Sequence, residues 1–218
     1  MNLATKELIG RLHFHSLCAK RHWNFLSSET TINSLSAPID DWFQLSSSKA
    51  VFLDRDGVLT RERSDYVKTP NELEVLPGVG PPLRDLRNMG FRLVIVTNQS
   101  VVGRGLATDE QMARIHEKLQ SELKRMGCSV DAIYYCPHLP SAGCSCRKPE
   151  PGLIMRAAKD LGLDVASSWM IGDKEIDLEA AKRAGCRGVR VETNLGDLQQ
   201  AASTIMRAEE NARNGVIA

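Results

Sequence analysis

The chain has 218 residues, a formal net charge of +1, 42% hydrophobic residues and 25% charged residues. So balanced a charge gives no strong pull toward nucleic acid or an anionic membrane surface, and no apolar run approaches the roughly 20 residues of a membrane helix. One domain of this length buries a full core. Of the six cysteines (Cys18, Cys128, Cys136, Cys144, Cys146, Cys186) only three cluster, and they do so around a histidine. That favours a metal site in a reducing, cytoplasmic compartment over a disulfide framework.

Residues 1–48 are Ser-rich, hold three of the five histidines and balance bases against acids. No basic start precedes an apolar block, as a secretory signal requires, and a transit peptide would carry fewer acids. "ELIGRLHFHSLCAKRHWNFL" has the pattern of one amphipathic helix. The expectation is a poorly ordered or loosely docked N-terminal extension.

From residue 49 the pattern alternates. "AVFLD" (50–54) is a short apolar run of the buried-strand kind. Residues 79–89 carry apolar positions at helical spacing up to Gly90, and "FRLVIVT" (91–97) is a second strand. Thr108 and Gln111 form a capping-box pattern that opens a helix to about Met126. "DAIYY" (131–135), a helix over 152–161, "SWMIGD" (168–173), a helix over 175–184 stopped by Gly185, and "GVRVE" (188–192) follow. Continuous apolar strands alternating with helices predict an α/β fold, a parallel sheet covered by helices on both faces.

Polar residues gather just after the strands. Asp54 and Asp56 follow the first, Thr97, Asn98, Gln99 and Ser100 the second, and Asp173 the fourth. Ligands of open α/β sheets bind at the carboxyl ends of strands. Residues i and i+2 of an extended chain point the same way, so Asp54 and Asp56 either face one site, where a cation or proton must relieve their repulsion, or begin a solvated loop. Asp173 adds a third carboxylate after a strand and a glycine. Three carboxylates at one rim suit Mg²⁺. Asp177 is either a further acid of the site or a first-turn acid favoured by the helix dipole. With the hydroxyls of "TNQS" and the cations of "RKP", the rim suits phosphoryl transfer.

"FLDRDG", "VTNQS", "CRKP" and "IGDKEID", in this order, closely resemble the haloacid dehalogenase-type phosphatases. Within them the resemblance is to the heptose bisphosphate and histidinol phosphate phosphatase group, and it covers about residues 49–192. It implies a Rossmann-like sheet without a large cap domain. It implies that Asp54 attacks phosphorus and that Asp56 protonates the leaving alkoxide, then deprotonates water. Mg²⁺ would be held by the Asp54 carboxylate, the Asp56 backbone carbonyl and Asp173. Thr97 and Lys148 would stabilise phosphoryl oxygens. Asn98, Gln99, Ser100, Arg147 and Lys174 would contact substrate.

Cys136, His138, Cys144 and Cys146 give C-x-H, five residues, then C-x-C. Four such ligands close one tetrahedral Zn²⁺ shell and leave no open position, so the site is structural. No second half at zinc-finger spacing and no basic recognition helix accompany it. Cys128 and Cys186 read as inert thiols.

In the resembled group such a loop crosses the mouth of an uncapped site. "TNQS" followed by "VVGRG", "GDK" and "RKPEPG" resemble the heptose branch more than the histidinol branch. The implied substrate is a D-glycero-D-manno-heptose 1,7-bisphosphate that loses its C7 phosphate on the route to lipopolysaccharide heptose. Arg104 then contacts substrate, and Glu62, Arg63, Ser64, Asp65 and Tyr66 occupy a substrate loop one residue longer than usual. The expected partner is a small phosphorylated sugar or amino alcohol, bound by a monomer. Histidinol phosphate hydrolysis is the second enzymatic reading, and a non-catalytic sugar-phosphate-binding relative is the reading from another class. Two departures stand out. Val58 replaces the usual threonine after Asp-Gly, and residues 193–218 form a divergent, polar, helix-like segment.

Overall fold

The computed structural model describes residues 48–215. The expectation for the N-terminal extension therefore lies, except for Ser48, outside the described residues. Strand β1 (Ala50–Leu53) is buried along its whole length. It lies at the centre of a five-stranded parallel sheet with β2 (Arg92–Asn98), β3 (Ala132–Cys136), β4 (Trp169–Gly172) and β5 (Arg187–Arg190), in the order β3-β2-β1-β4-β5. Phe52 aligns with Val94 on one side and Met170 on the other. A central strand with both faces covered has no use for alternation with polar residues, hence "AVFL".

The period-2 geometry of strands distributes these side chains over two cores. Val51, Leu53, Ile95 and Ile171 pack with α1 (Gly80–Asn88), α3 (Asp109–Arg125) and α6 (Leu198–Arg213). Ala50, Phe52, Val94 and Met170 pack with α4 (Gly152–Leu161) and α5 (Glu175–Ala184) on the other face. The short α2 (Ser100–Gly103) follows β2 directly. The capping box at α3 forms: Gln111 N–H donates to Thr108 Oγ1 (3.2 Å) and Thr108 N–H to Gln111 Oε1 (2.8 Å). Among the described residues no helix is long and apolar enough to cross a membrane.

The polar C-terminal segment belongs to the first core. Leu198, Ala201, Ala202 and Ile205 are buried, and α6 lies against α1. Glu209 of α6 accepts hydrogen bonds from Lys49 (2.6 Å), Trp169 Nε1 (3.1 Å) and Arg187 (2.6 Å). The boundary drawn at residue 192 thus does not mark an edge of the packed core. Ile205→Ala is expected to lower unfolding free energy by about 2–4 kcal/mol in urea titration. A change under about 0.5 kcal/mol would show that α6 adds little to the core.

Candidate active site

The chain runs from β1 to β2 and β3 on one side of the sheet, then returns to β4 and β5 on the other. The carboxyl end of β1 is therefore the topological switch point, where a crevice opens. Asp54 stands there, its N–H bonded to Ile171 O at 3.0 Å, so the β1–β4 ladder fixes its backbone.

Lys148 reaches the same point from the loop before α4. Its ammonium lies 2.8 Å from Asp54 Oδ1 and 2.6 Å from Asp177 Oδ1, and donates to Val96 O at 2.8 Å. Three oxygens thus surround a group with three protons. Lys148 and Asp177 are both buried, and such a pair persists only with its polar atoms compensated. Asp177 also accepts the Lys174 N–H at the start of α5 (3.1 Å). The two readings of Asp177 are both realised, because one oxygen caps the helix and the other holds Lys148.

Asp54, Asp173 and Asp177 bring carboxylate oxygens within 4.8 Å of one another. Burial pushes the Asp54 carboxyl up, against the charge of Lys148, and neighbouring Asp177 and Asp56 add to the rise. Burial likewise raises Asp173. Asp173 Oδ2 accepts from Thr193 Oγ1 (2.8 Å), while its Oδ1 is buried with no hydrogen-bond partner among the described residues. A surplus of negative charge, an orphaned carboxylate oxygen and an all-oxygen donor set fit a hard divalent cation. Gly57 permits the approach: a Cβ there would meet Asp173 Oδ2 at 2.4 Å, and its φ is +90°.

Asp56 is held from four directions. Arg55 donates to Oδ1 (Nε, 3.0 Å) and Oδ2 (2.8 Å), Thr60 Oγ1 to Oδ1 (3.0 Å), and Gln99 Nε2 to Oδ2 (2.7 Å). Burial acts to raise this carboxyl, but the Arg55 charge and these hydrogen bonds outweigh it and hold it below the ordinary value. Val58 is buried in the first core, so the missing threonine is replaced by packing.

One cleft of about 310 Å³ collects most of the sequence-predicted residues, with Asp173 outside its lining. Asp54, Asp56, Thr97, Lys148 and Ser100 line it, as do Arg104, Arg147 and Lys174. Asn98 and Gln99 also line it, but their side-chain amides are already engaged. Asn98 Nδ2 donates to Lys148 O and its Oδ1 accepts the Lys148 N–H, both at 3.0 Å. Gln99 accepts from Arg55 (2.8 Å) and donates to Asp56 and Thr97 (3.0 Å). Asn98 thus holds the Lys148 backbone and Gln99 supports Asp56, while both residues still line the cleft. Sequence reasoning missed Arg55, Thr60, Thr193 and Asn194. Asn194 Oδ1 accepts the Glu62 N–H (2.6 Å), and the Glu62 carboxylate pairs with Lys174. Arg104 lies over the Tyr66 ring (5.6 Å to the centroid).

The thiol–histidine cluster assembles beside this cleft. Cys136 Sγ lies 3.4 Å from His138 Nδ1, 3.6 Å from Cys144 Sγ and 3.3 Å from Cys146 Sγ. Cys146 Sγ is 3.2 Å from His138 Nδ1 and 3.5 Å from Cys144 Sγ. Roughly 3.5–3.8 Å edges belong to a tetrahedron with bonds of ~2.0–2.3 Å, so the four atoms fit one zinc-sized ion. Gly103 docks this loop: its N–H donates to Pro137 O (2.9 Å), and a Cβ there would sit 2.5 Å from that oxygen. Arg147 donates to His138 O at 3.2 Å, tying the cluster to the cleft.

A parallel sheet with its leading aspartate at the switch point, facing a buried lysine and a rear carboxylate, defines a hydrolase of the haloacid dehalogenase-like class. A family model described as "HAD-hyrolase-like" matches residues 145–213. The D-glycero-beta-D-manno-heptose-1,7-bisphosphate 7-phosphatase of Photorhabdus laumondii is 38% identical over 171 residues, covering 73% of this chain and 90% of that protein. The Haemophilus ducreyi protein of the same name is 42% identical over 146 residues, or 64% of this chain and 80% of that one. The crystal structure of D,D-heptose 1.7-bisphosphate phosphatase from B. bronchiseptica, complexed with magnesium and phosphate, superposes with a TM-score of 0.68 at 36% identity. It covers 73% of this chain and 99% of that one. The chain belongs to the haloacid dehalogenase-like phosphatases, in their heptose bisphosphate phosphatase group. It is a phosphatase, an enzyme that hydrolyses phosphomonoesters.

Proposed function

We propose that this enzyme removes the C7 phosphate of D-glycero-D-manno-heptose 1,7-bisphosphate and leaves heptose 1-phosphate. The observation that carries the mechanism is the buried Asp54–Lys148–Asp177 array at the switch point. Lys148 occupies Asp54 Oδ1, and no described residue donates to the other oxygen, which is free to attack phosphorus. The P–O7 bond breaks as the Asp54–phosphorus bond forms, and Asp56, which must enter this step protonated although its donors favour the ionised form, gives its proton to the departing alkoxide oxygen. Asp56 then takes a proton from the water that attacks the aspartyl phosphate. Inorganic phosphate leaves and Asp54 is regenerated. Lys148 and Thr97 stabilise the phosphoryl oxygens. Mg²⁺ bound by Asp54, the Asp56 carbonyl and Asp173 would neutralise charge on the transferring group. Zn²⁺ held by Cys136, His138, Cys144 and Cys146 would be structural.

Two features support the bisphosphate. The relatives compared above carry that substrate in their names. Arg104 and Arg147 line the cleft and have no carboxylate partner among the described residues, so the cleft offers cations for a second phosphate. The same reading makes the enzyme a cytoplasmic monomer that serves lipopolysaccharide-type heptose synthesis. Phosphate release should be measured, with and without Mg²⁺, on both heptose bisphosphate anomers, histidinol phosphate and an aryl phosphate. Mg²⁺-dependent release fastest from a heptose bisphosphate is expected. Faster release from histidinol phosphate would overturn the substrate assignment.

A further inference from the structure

Arg55 is the largest fully buried side chain among the described residues. It stands in the bend that follows β1, with its guanidinium among Asp56, Gln99 and Met112. Burying a guanidinium is costly unless its donors are matched. Its NH1 meets only Met112 Sδ (3.4 Å), a weak acceptor. Its other donors go to Asp56 and to Gln99 Oε1.

This pattern is a poor way to stabilise a fold. The ion pair joins adjacent residues and closes no loop; the links to distant elements are single bonds to Gln99 Oε1 and to the weak acceptor Met112 Sδ. It is a good way to fix a carboxylate. A bidentate fork sets the plane of the carboxylate as well as its position. Gln99, arriving from the end of β2, bonds both members of the pair and fixes the fork relative to Thr97. Each Asp56 oxygen thus has two donors in the ionised form, and when Oδ1 carries a proton it can donate to Thr60 Oγ1, whose own hydrogen then turns to Arg55 O at 3.2 Å; the side chain is still 21% exposed.

We infer that Arg55 and Gln99 form a buried clamp that positions the Asp56 carboxylate, and that Arg55 is therefore a positioning residue for proton transfer. This rests on Asp56 being the acid–base group, as proposed above. Lysine in its place would keep the charge but present a single point, without the planar fork.

Leaving groups separate the clamp from a purely structural role. A sugar phosphate leaves as an alkoxide and needs a proton in the first step. 4-Nitrophenyl phosphate releases a stable phenolate and does not. For Arg55→Lys, kcat on the sugar phosphate should fall about 100-fold, with KM changed less than about threefold. The first-turnover burst of nitrophenolate should change by less than about fivefold. Gln99→Ala, which keeps the buried ion pair, should show the same selectivity at smaller size and carries the test if Arg55→Lys does not fold. Thermal unfolding of each variant establishes the folded fraction. Asp56→Asn is the reference and should show the largest difference between substrates. If Asp56→Asn shows it while Arg55→Lys and Gln99→Ala slow both substrates equally or neither, the clamp is overturned. If Asp56→Asn shows no difference, the acid–base assignment fails, and the clamp falls with it.

Discussion

Asp54→Asn is expected to lower phosphate release on the order of 10⁴-fold or more while leaving the protein folded. The substitution preserves shape and removes both the negative charge and the attacking oxygen. Its effect on stability should be small because of how Lys148 is held. The ammonium keeps Asp177 Oδ1 at 2.6 Å and Val96 O at 2.8 Å, so no buried cation is left bare. One carboxylate fewer also lessens the repulsion that burial imposes on Asp54, Asp173 and Asp177. The measurement is phosphate release beside urea unfolding on the same preparation, with the change in unfolding free energy expected within about 1 kcal/mol. Activity within tenfold of the parent protein would remove Asp54 as nucleophile. Inactivity accompanied by a large loss of stability would instead make Asp54 a structural anchor for Lys148.

The parts of this site that sequence revealed are those where local pattern and tertiary position coincide. "AVFL" and "RLVIVT" are apolar because both sheet faces are covered, and the residues that end such strands must lie at the rim. That argument places Asp54, Thr97 and Asp173 without knowing a single contact. Lys148 is legible as one of the "RKP" cations beside the rim carboxylates, but its place at phosphorus comes only from the family resemblance. Its charge and loop position alone would suit a solvated lysine, and its burial depends on two carboxylates and a carbonyl from separate parts of the chain.

Arg55 was hidden for a related reason. An arginine between two aspartates reads as the start of a solvated loop, and arginine is almost never fully buried unless paired. Asn98 and Gln99 are placed on substrate by the family resemblance, and sequence alone does not tell which protein groups their amides also meet. At the C-terminus the signal was present and weak. Leu198, Ala201, Ala202 and Ile205 sit at i, i+3, i+4 and i+7, the face of a helix. The two alanines in the middle of that face carry little hydrophobicity, so the polar residues around them dominate the pattern. Close packing of α6 against α1 is what small side chains at those positions allow.

Removing the zinc-site ligands' ion, or replacing Cys146 with serine, is expected to raise KM and lower kcat/KM about 10–100-fold and to lower the melting temperature. Loop residues 138–145 have little apolar burial of their own; their regular structure is the short 3₁₀ turn Pro140–Ala142. A four-ligand ion would then supply much of the ordering free energy. Its effect reaches the cleft by a short covalent path, because Lys148 lies two residues beyond Cys146 and Arg147 donates to His138 O. Loss of order at Cys146 should therefore broaden the position of the Lys148 ammonium relative to Asp54. The Asn98 clamp on the Lys148 backbone opposes that motion, so the loss is expected to be partial. Chelation, metal analysis and kinetics separate the two ions. Zn²⁺ readdition should restore both KM and melting temperature, whereas Mg²⁺ should restore activity only to protein whose zinc is in place. If metal-free protein keeps its stability and its KM, then the Gly103–Pro137 and Asn98–Lys148 hydrogen bonds alone order the loop, and the cysteines have no part in holding the cleft.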